Sequence, residues 1–214
     1  MRIRALALAA PLVLLAGCTN AIESGAPSAL VTNASAWTIY RSASPSPTPS
    51  AEIPPSTVAS GTFLPYRPGA PAITYDPAVV PPGATATLTI TDLPYGTEVR
   101  LQAGGLIPSR AYGAHLHTKP CTGIPDEAGP HYQHHQDPKP PSVNPIYANP
   151  KNEVWLDFTA DGTGVGAALS MHGWDFPPSN PPRALILHAE QTQTGPGEAG
   201  KAGSRAACLT LPGA

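Results

Sequence analysis

From about residue 65 onward, polar and apolar positions alternate with a period of two. In 84–91, Ala84, Ala86, Leu88 and Ile90 alternate with four threonines, the mark of a strand with one buried face. Segments of the same kind follow at 98–103, 111–117, 153–159, 165–171, 183–189 and 206–211. Turn-forming runs separate them: Leu93-Pro94-Tyr95-Gly96, Asp161-Gly162 and the proline-rich 177–182. No segment carries a sustained 3.6-residue apolar stripe. Short strands spaced by turns over roughly 150 residues predict one all-β domain, an antiparallel β-sandwich or barrel, over 65–214. Residues 118–152 break the rhythm. This stretch holds eight prolines and no alternation, and loops that long in a compact domain are usually functional.

The first 64 residues follow other rules. Met1 to Gly17 carries Arg2 and Arg4, then an apolar run from Ala5 to Ala16. That run is shorter than the ~20 residues a bilayer span needs and suits a secretory signal peptide, 1–17. Leu15-Ala16-Gly17-Cys18 resembles a bacterial lipobox, which makes Cys18 the expected lipidation site of an exported protein anchored on the outer face of the cell membrane. An ordinary signal cut elsewhere is the alternative. Residues 18–64 are poor in charge, and Ser44-Pro45-Ser46-Pro47-Thr48-Pro49 interleaves proline with hydroxyl residues, so the segment is expected to be a semi-extended tether. Of 12 basic side chains, two lie in the signal, leaving 10 against 14 acidic ones. A net charge near −4 gives no electrostatic reason to bind nucleic acid.

Three cysteines occur. With Cys18 lipidated, Cys121 and Cys208 remain to form a disulfide in an oxidising compartment; two buried free thiols are the other possibility. All seven histidines lie between 115 and 188. His115 and His117 flank Leu116 on a predicted strand, so both rings leave one face. His131 sits in the long loop and His188 ends an apolar strand. Four imidazoles converging on one ion would suit copper, zinc or nickel.

Larger motifs set these residues in order. Gly105-Leu106-Ile107-Pro108 leads into Gly113-Ala114-His115-Leu116-His117 and Cys121. Further on come Gly129-Pro130-His131-Tyr132, Leu185-Ile186-Leu187-His188 and Gly203-Ser204-Arg205-Ala206-Ala207-Cys208. Five segments in this order, across about 100 residues, resemble the copper/zinc superoxide dismutase family. The resemblance implies a Greek-key β-barrel in which His115, His117, His131 and His188 hold copper. It further implies that Arg205 guides the anion, that His131 delivers a proton, and that Cys121 pairs with Cys208.

The chain departs from that family where zinc should bind. Aligning strand starts puts Tyr147 and Pro150 at the places of a zinc histidine and aspartate, and neither serves. His134, His135 and Asp137 are the remaining loop candidates for a second metal, although adjacent histidines seldom face one ion. Zinc is therefore not expected, and the chain resembles copper-only relatives. The acidic residue that follows the last copper ligand in the family is also missing; Glu190 would share a face with His188 if that strand continues, and could then orient a ligand. His172 matches no metal position and is expected at the surface. The implied activity is a copper-dependent superoxide dismutase, converting superoxide to O2 and H2O2. The competing reading is a copper-binding surface lipoprotein of the same fold without turnover. A homodimer is compatible with either.

Overall fold

The computed structural model describes residues 56–212. The signal peptide, Cys18 and most of the tether lie outside the described residues. Ten strands follow in order: β1 (Ser56–Thr62), β2 (Leu64–Pro65), β3 (Ala72–Thr74), β4 (Thr85–Leu93), β5 (Gly96–Gly104), β6 (Ala111–His117), β7 (Phe158–Thr159), β8 (Gly166–His172), β9 (Ala184–His188) and β10 (Arg205–Thr210). One 3-10 turn, Pro125–Ala128, lies in the long loop.

The strands form a four-stranded sheet in the order β1-β4-β5-β8 and a six-stranded sheet in the order β2-β3-β10-β9-β6-β7. All pairings are antiparallel except β2 with β3. Neighbours such as β1–β4, β5–β8 and β6–β9 are distant in sequence, so long connections cross the ends of an all-β sandwich. Leu88, Ile90, Val99 and Leu101 from one sheet meet Ala114, Leu116, Leu185, Leu187 and Leu209 from the other. Burial of these side chains on both inner faces is the main driving force for the fold.

Two sequence expectations change. β1 lies inside the segment assigned to the tether, yet it pairs with β4 along its whole length, from Ser56↔Thr91 to Thr62↔Thr85. Its alternation is weak because only Ala59 is buried in it. Of the predicted strand 153–159, only Phe158 and Thr159 pair regularly; the rest is held by isolated bridges, His115↔Trp155 and Gln133↔Glu153.

β9 positions the site. It is buried on both faces, which accounts for its unbroken apolar run. Leu185 and Leu187 enter the main core, while Ala184 and Ile186 join Ala128 and Cys208 in a second cluster under the long loop. The outer face of the six-stranded sheet is thus covered, and His188 lies on that covered face. Cys121 and Cys208 form the disulfide, with Cα atoms 5.8 Å apart, pinning the start of the loop to β10.

Candidate metal centre

His115 and His117 project from the outer face of β6, while Ala114 and Leu116 fill the core behind them. His188 on β9 stands opposite Gly113 of β6 and Arg205 of β10. A register shift between Arg205 and Ala207 turns Arg205 toward the site. The long loop adds His131, held by a bridge to His117 and by the hydrogen bond from Tyr132 N to Leu116 O, 2.8 Å. One ring nitrogen from each of the four histidines lies within 4.8 Å of the other three.

Burial is close to complete. His115 and His117 are 0% exposed and His188 is 4%; the His131 side chain keeps 18%. Burial holds the imidazoles of His115 and His117 well below the usual histidine range, and His188 falls to about 3 for the same reason. Neutral rings present lone pairs, as metal ligation requires. Three of those nitrogens, His115 Nδ1, His117 Nε2 and His188 Nε2, are buried and lack a hydrogen-bond partner among the described residues. Orphaned buried polar atoms are costly, and three facing one spot fit a metal cation. Two ligands on opposite sides of an ion, each at about 2.0–2.1 Å, span about 4 Å. The widest pair therefore needs to close by less than about 1 Å. An all-nitrogen set of this kind suits copper, with zinc and nickel next.

The other nitrogen of three of the rings is fixed by the fold. His117 Nδ1 donates to Gly129 O at 2.9 Å. Gly129 adopts φ +77°, and a Cβ there would meet the Thr118 hydroxyl, so glycine is required to aim this carbonyl. His115 Nε2 lies 2.6 Å from Thr192 Oγ1, which donates to Asp157 Oδ1 at 2.7 Å. His131 Nδ1 donates to Glu153 Oε2 at 2.8 Å. Such partners set tautomer and ring orientation.

Arg205 adds the positive charge. Its Nη1 donates to Pro125 O (2.9 Å) and its Nη2 to Gly129 O (2.7 Å). Arg205, His131, Lys201 and Thr118 line a cavity of about 390 Å³ leading outward.

The remaining sequence candidates fall elsewhere. His134 and His135 are exposed, their rings 4.3 Å apart, and His134 stacks on Trp174. Asp137 is engaged by Ser142 Oγ and Lys139 N. None of the three belongs to the four-histidine group. His172, expected at the surface, is instead buried at 7% exposure and bonded to Ser170 Oγ; its ring turns inward at the end of β8, and desolvation lowers it to about 4. Glu190 is exposed, and the support imagined for it comes from Thr192 and Asp157. Tyr147 N and Ala148 N cap a turn on Asn144 O, away from any ligand role. Sequence reasoning missed Glu153, Asp157 and Thr192. For two of them a signal existed: Glu153, Trp155 and Asp157 alternate along a predicted strand and so share one face.

No protein-family profile matches the chain, and no curated protein matches it. Among solved structures, it is similar to a Cu/Zn superoxide dismutase from Brucella abortus at 20% identity and a TM-score of 0.47, covering 74% of this chain and 100% of that one. It is also similar to two mutants of a SOD-like protein from Bacillus subtilis, each at 18% identity and a TM-score of 0.46. These cover 60% of this chain and 89% and 90% of theirs. By its own strands and side chains the chain is an all-β sandwich with a buried four-histidine cluster, and in structure it is similar to a Cu/Zn superoxide dismutase and to SOD-like proteins.

Proposed function

We propose that this chain is an exported, lipid-anchored, copper-dependent superoxide dismutase. The observation that carries the metal centre is the convergence of three buried, partnerless ring nitrogens with His131 at the cavity floor. Bound copper would supply one-electron cycling, so that one superoxide leaves as O2 and a second, with two protons, leaves as H2O2. Zinc has no accessible redox change and could not do this.

The side chains divide the remaining work. His115, His117 and His188 hold the ion from the rigid sheet, with neutral rings at working pH. Arg205 attracts and orients the anion at the mouth, its guanidinium held in place by two carbonyls. His131, the ligand with solvent access, is the residue placed to pass a proton at Nε2. Its Nδ1–H stays on Glu153, which does for the ring what a second metal would otherwise do. That arrangement supports the reading of a copper-only site.

The test uses purified protein loaded with one copper per chain. Its paramagnetic spectrum should show nitrogen ligation, and superoxide removal should be fast and lost in His117→Ala. Nitrogen-ligated copper without turnover would leave the non-catalytic copper-binding reading. Failure to bind stoichiometric copper would overturn both.

A further inference from the structure

Glu153 is the most enclosed carboxylate beside the site, 1% exposed, and no lysine or arginine pairs with it among the described residues. Three side-chain N–H donors surround it instead. Oε2 accepts from His131 Nδ1 at 2.8 Å and from Trp155 Nε1 at 2.7 Å, and Oε1 accepts from Gln133 Nε2 at 2.7 Å. An indole N–H can only donate, and a carboxylate only accepts. One oxygen is therefore shared between Trp155 and His131, and the other is occupied by Gln133. The carboxylate has no freedom to rotate away.

The backbone delivers these groups together. The bridge Gln133↔Glu153 places Gln133 beside the carboxylate, and the bridge His115↔Trp155 places Trp155 against a second ligand, ring centroids 5.9 Å apart. Gln133 is itself fixed, because its Oε1 accepts from Asp137 N at 2.8 Å. Trp155 thus touches the surroundings of two histidines, and Gln133 ties the carboxylate to the loop that carries His131.

We infer that Trp155 and Gln133 are positioning residues: they clamp Glu153 so that His131 is held as its Nδ1–H tautomer with Nε2 bare toward the other three histidines. The inference rests on the copper-site reading for its use, but the clamp belongs to the copper-free protein. Without the clamp, Glu153 could reorient, and the His131 ring could exchange tautomers or turn, withdrawing one ligand of four.

The test is made first without metal. Long-range proton–nitrogen spectra of the copper-free wild type should show His131 as a single Nδ1–H tautomer. Trp155→Phe keeps an aromatic ring beside His115, though a smaller one, and removes the donor. Gln133→Glu keeps the acceptor for Asp137 N and turns the donor into a like charge. Both variants should show a mixed or exchanging His131 ring, while their thermal unfolding stays cooperative. Copper affinity, measured by chelator competition, should fall about 10-fold in Trp155→Phe and 10- to 100-fold in Gln133→Glu, the range seen when a ligand's supporting partner is lost. If both variants keep the wild-type tautomer and bind copper within 2-fold of wild type, the clamp is refuted. A wild type that binds no copper would overturn the proposed function, while the copper-free spectra would still decide the clamp.

Discussion

Thr192→Val is the sharpest single perturbation of the centre. Valine matches threonine in shape, so the side chain's packing survives and only the hydroxyl goes. That hydroxyl sits 2.6 Å from His115 Nε2 and donates to Asp157 Oδ1 at 2.7 Å. The second link to the loop, Thr192 N to Asp157 Oδ2 at 2.7 Å, is unaffected. His115 is 0% exposed, so no water replaces the lost partner, and Asp157 lies 3.7 Å from Nε2, beyond a hydrogen bond. One bond to a charged group, at about 1.5–3 kcal/mol, is removed, and one buried donor is orphaned at about 1–3 kcal/mol. These overlap, because the orphan's cost is part of the lost bond, so the expected destabilisation is about 3 kcal/mol. For a domain of this size each kcal/mol lowers Tm by about 2–4 °C, so the copper-free variant should melt about 6–12 °C lower. Copper affinity should fall about 10- to 100-fold. Differential scanning calorimetry and chelator competition measure the two. Thr192→Ser restores the hydroxyl and should recover most of both losses. Equal Tm and affinity in wild type and Thr192→Val would refute the relay.

Three further outcomes are expected. Arg205→Ala should slow superoxide removal and flatten its dependence on ionic strength while copper stays bound; an unchanged rate in a pulse-radiolysis assay would remove Arg205 from anion guidance. Reducing the Cys121–Cys208 bridge, which closes a sequence separation of 87, should cost about 4–5 kcal/mol on a chain-entropy view. Tm should then drop by about 8–20 °C in reductant, and an identical melt would contradict this. His172 is lowered from 6.5 to about 4 by burial, so the unfolded chain binds a proton in that interval that the folded chain refuses. Its contribution to stability is level above pH 6.5, falls as pH drops from 6.5 to about 4, and is level again below; the whole change is about 3 kcal/mol. Urea midpoints for His172→Gln should therefore decline less between pH 7.5 and pH 4.5 than those of wild type, and parallel declines would refute this.

Much of the sheet was legible because alternation is a local property. Threonines and apolar residues in 84–91 can satisfy a half-buried strand in one way, and β4 follows. The spacing His115-Leu116-His117 puts two rings on one face once the segment is a strand, as β6 is. The unbroken run before His188 marked an apolar strand, and β9 is that strand, buried on both faces. Where the local signal was thin, the boundary slipped: β1 has one buried side chain, so nothing in its sequence set it apart from the tether, and its place comes from hydrogen bonding to β4.

What the sequence by itself determined is most of the strands from β4 onward, the shared face of His115 and His117, and four histidines in an order that resembles a copper site. What only the tertiary structure decided is the partner of each ring. Glu153 reaches His131 across 22 residues, Asp157 reaches Thr192 across 35, and Thr192 reaches His115 across 77. No local pattern encodes such contacts, because they arise when the long loop and the β9–β10 connection fold down over the outer face of the six-stranded sheet and burial makes an unpaired polar atom there costly. Three ring nitrogens find no partner among the described residues, and it is the closed fold around them that turns a run of histidines into a cluster that could hold a metal.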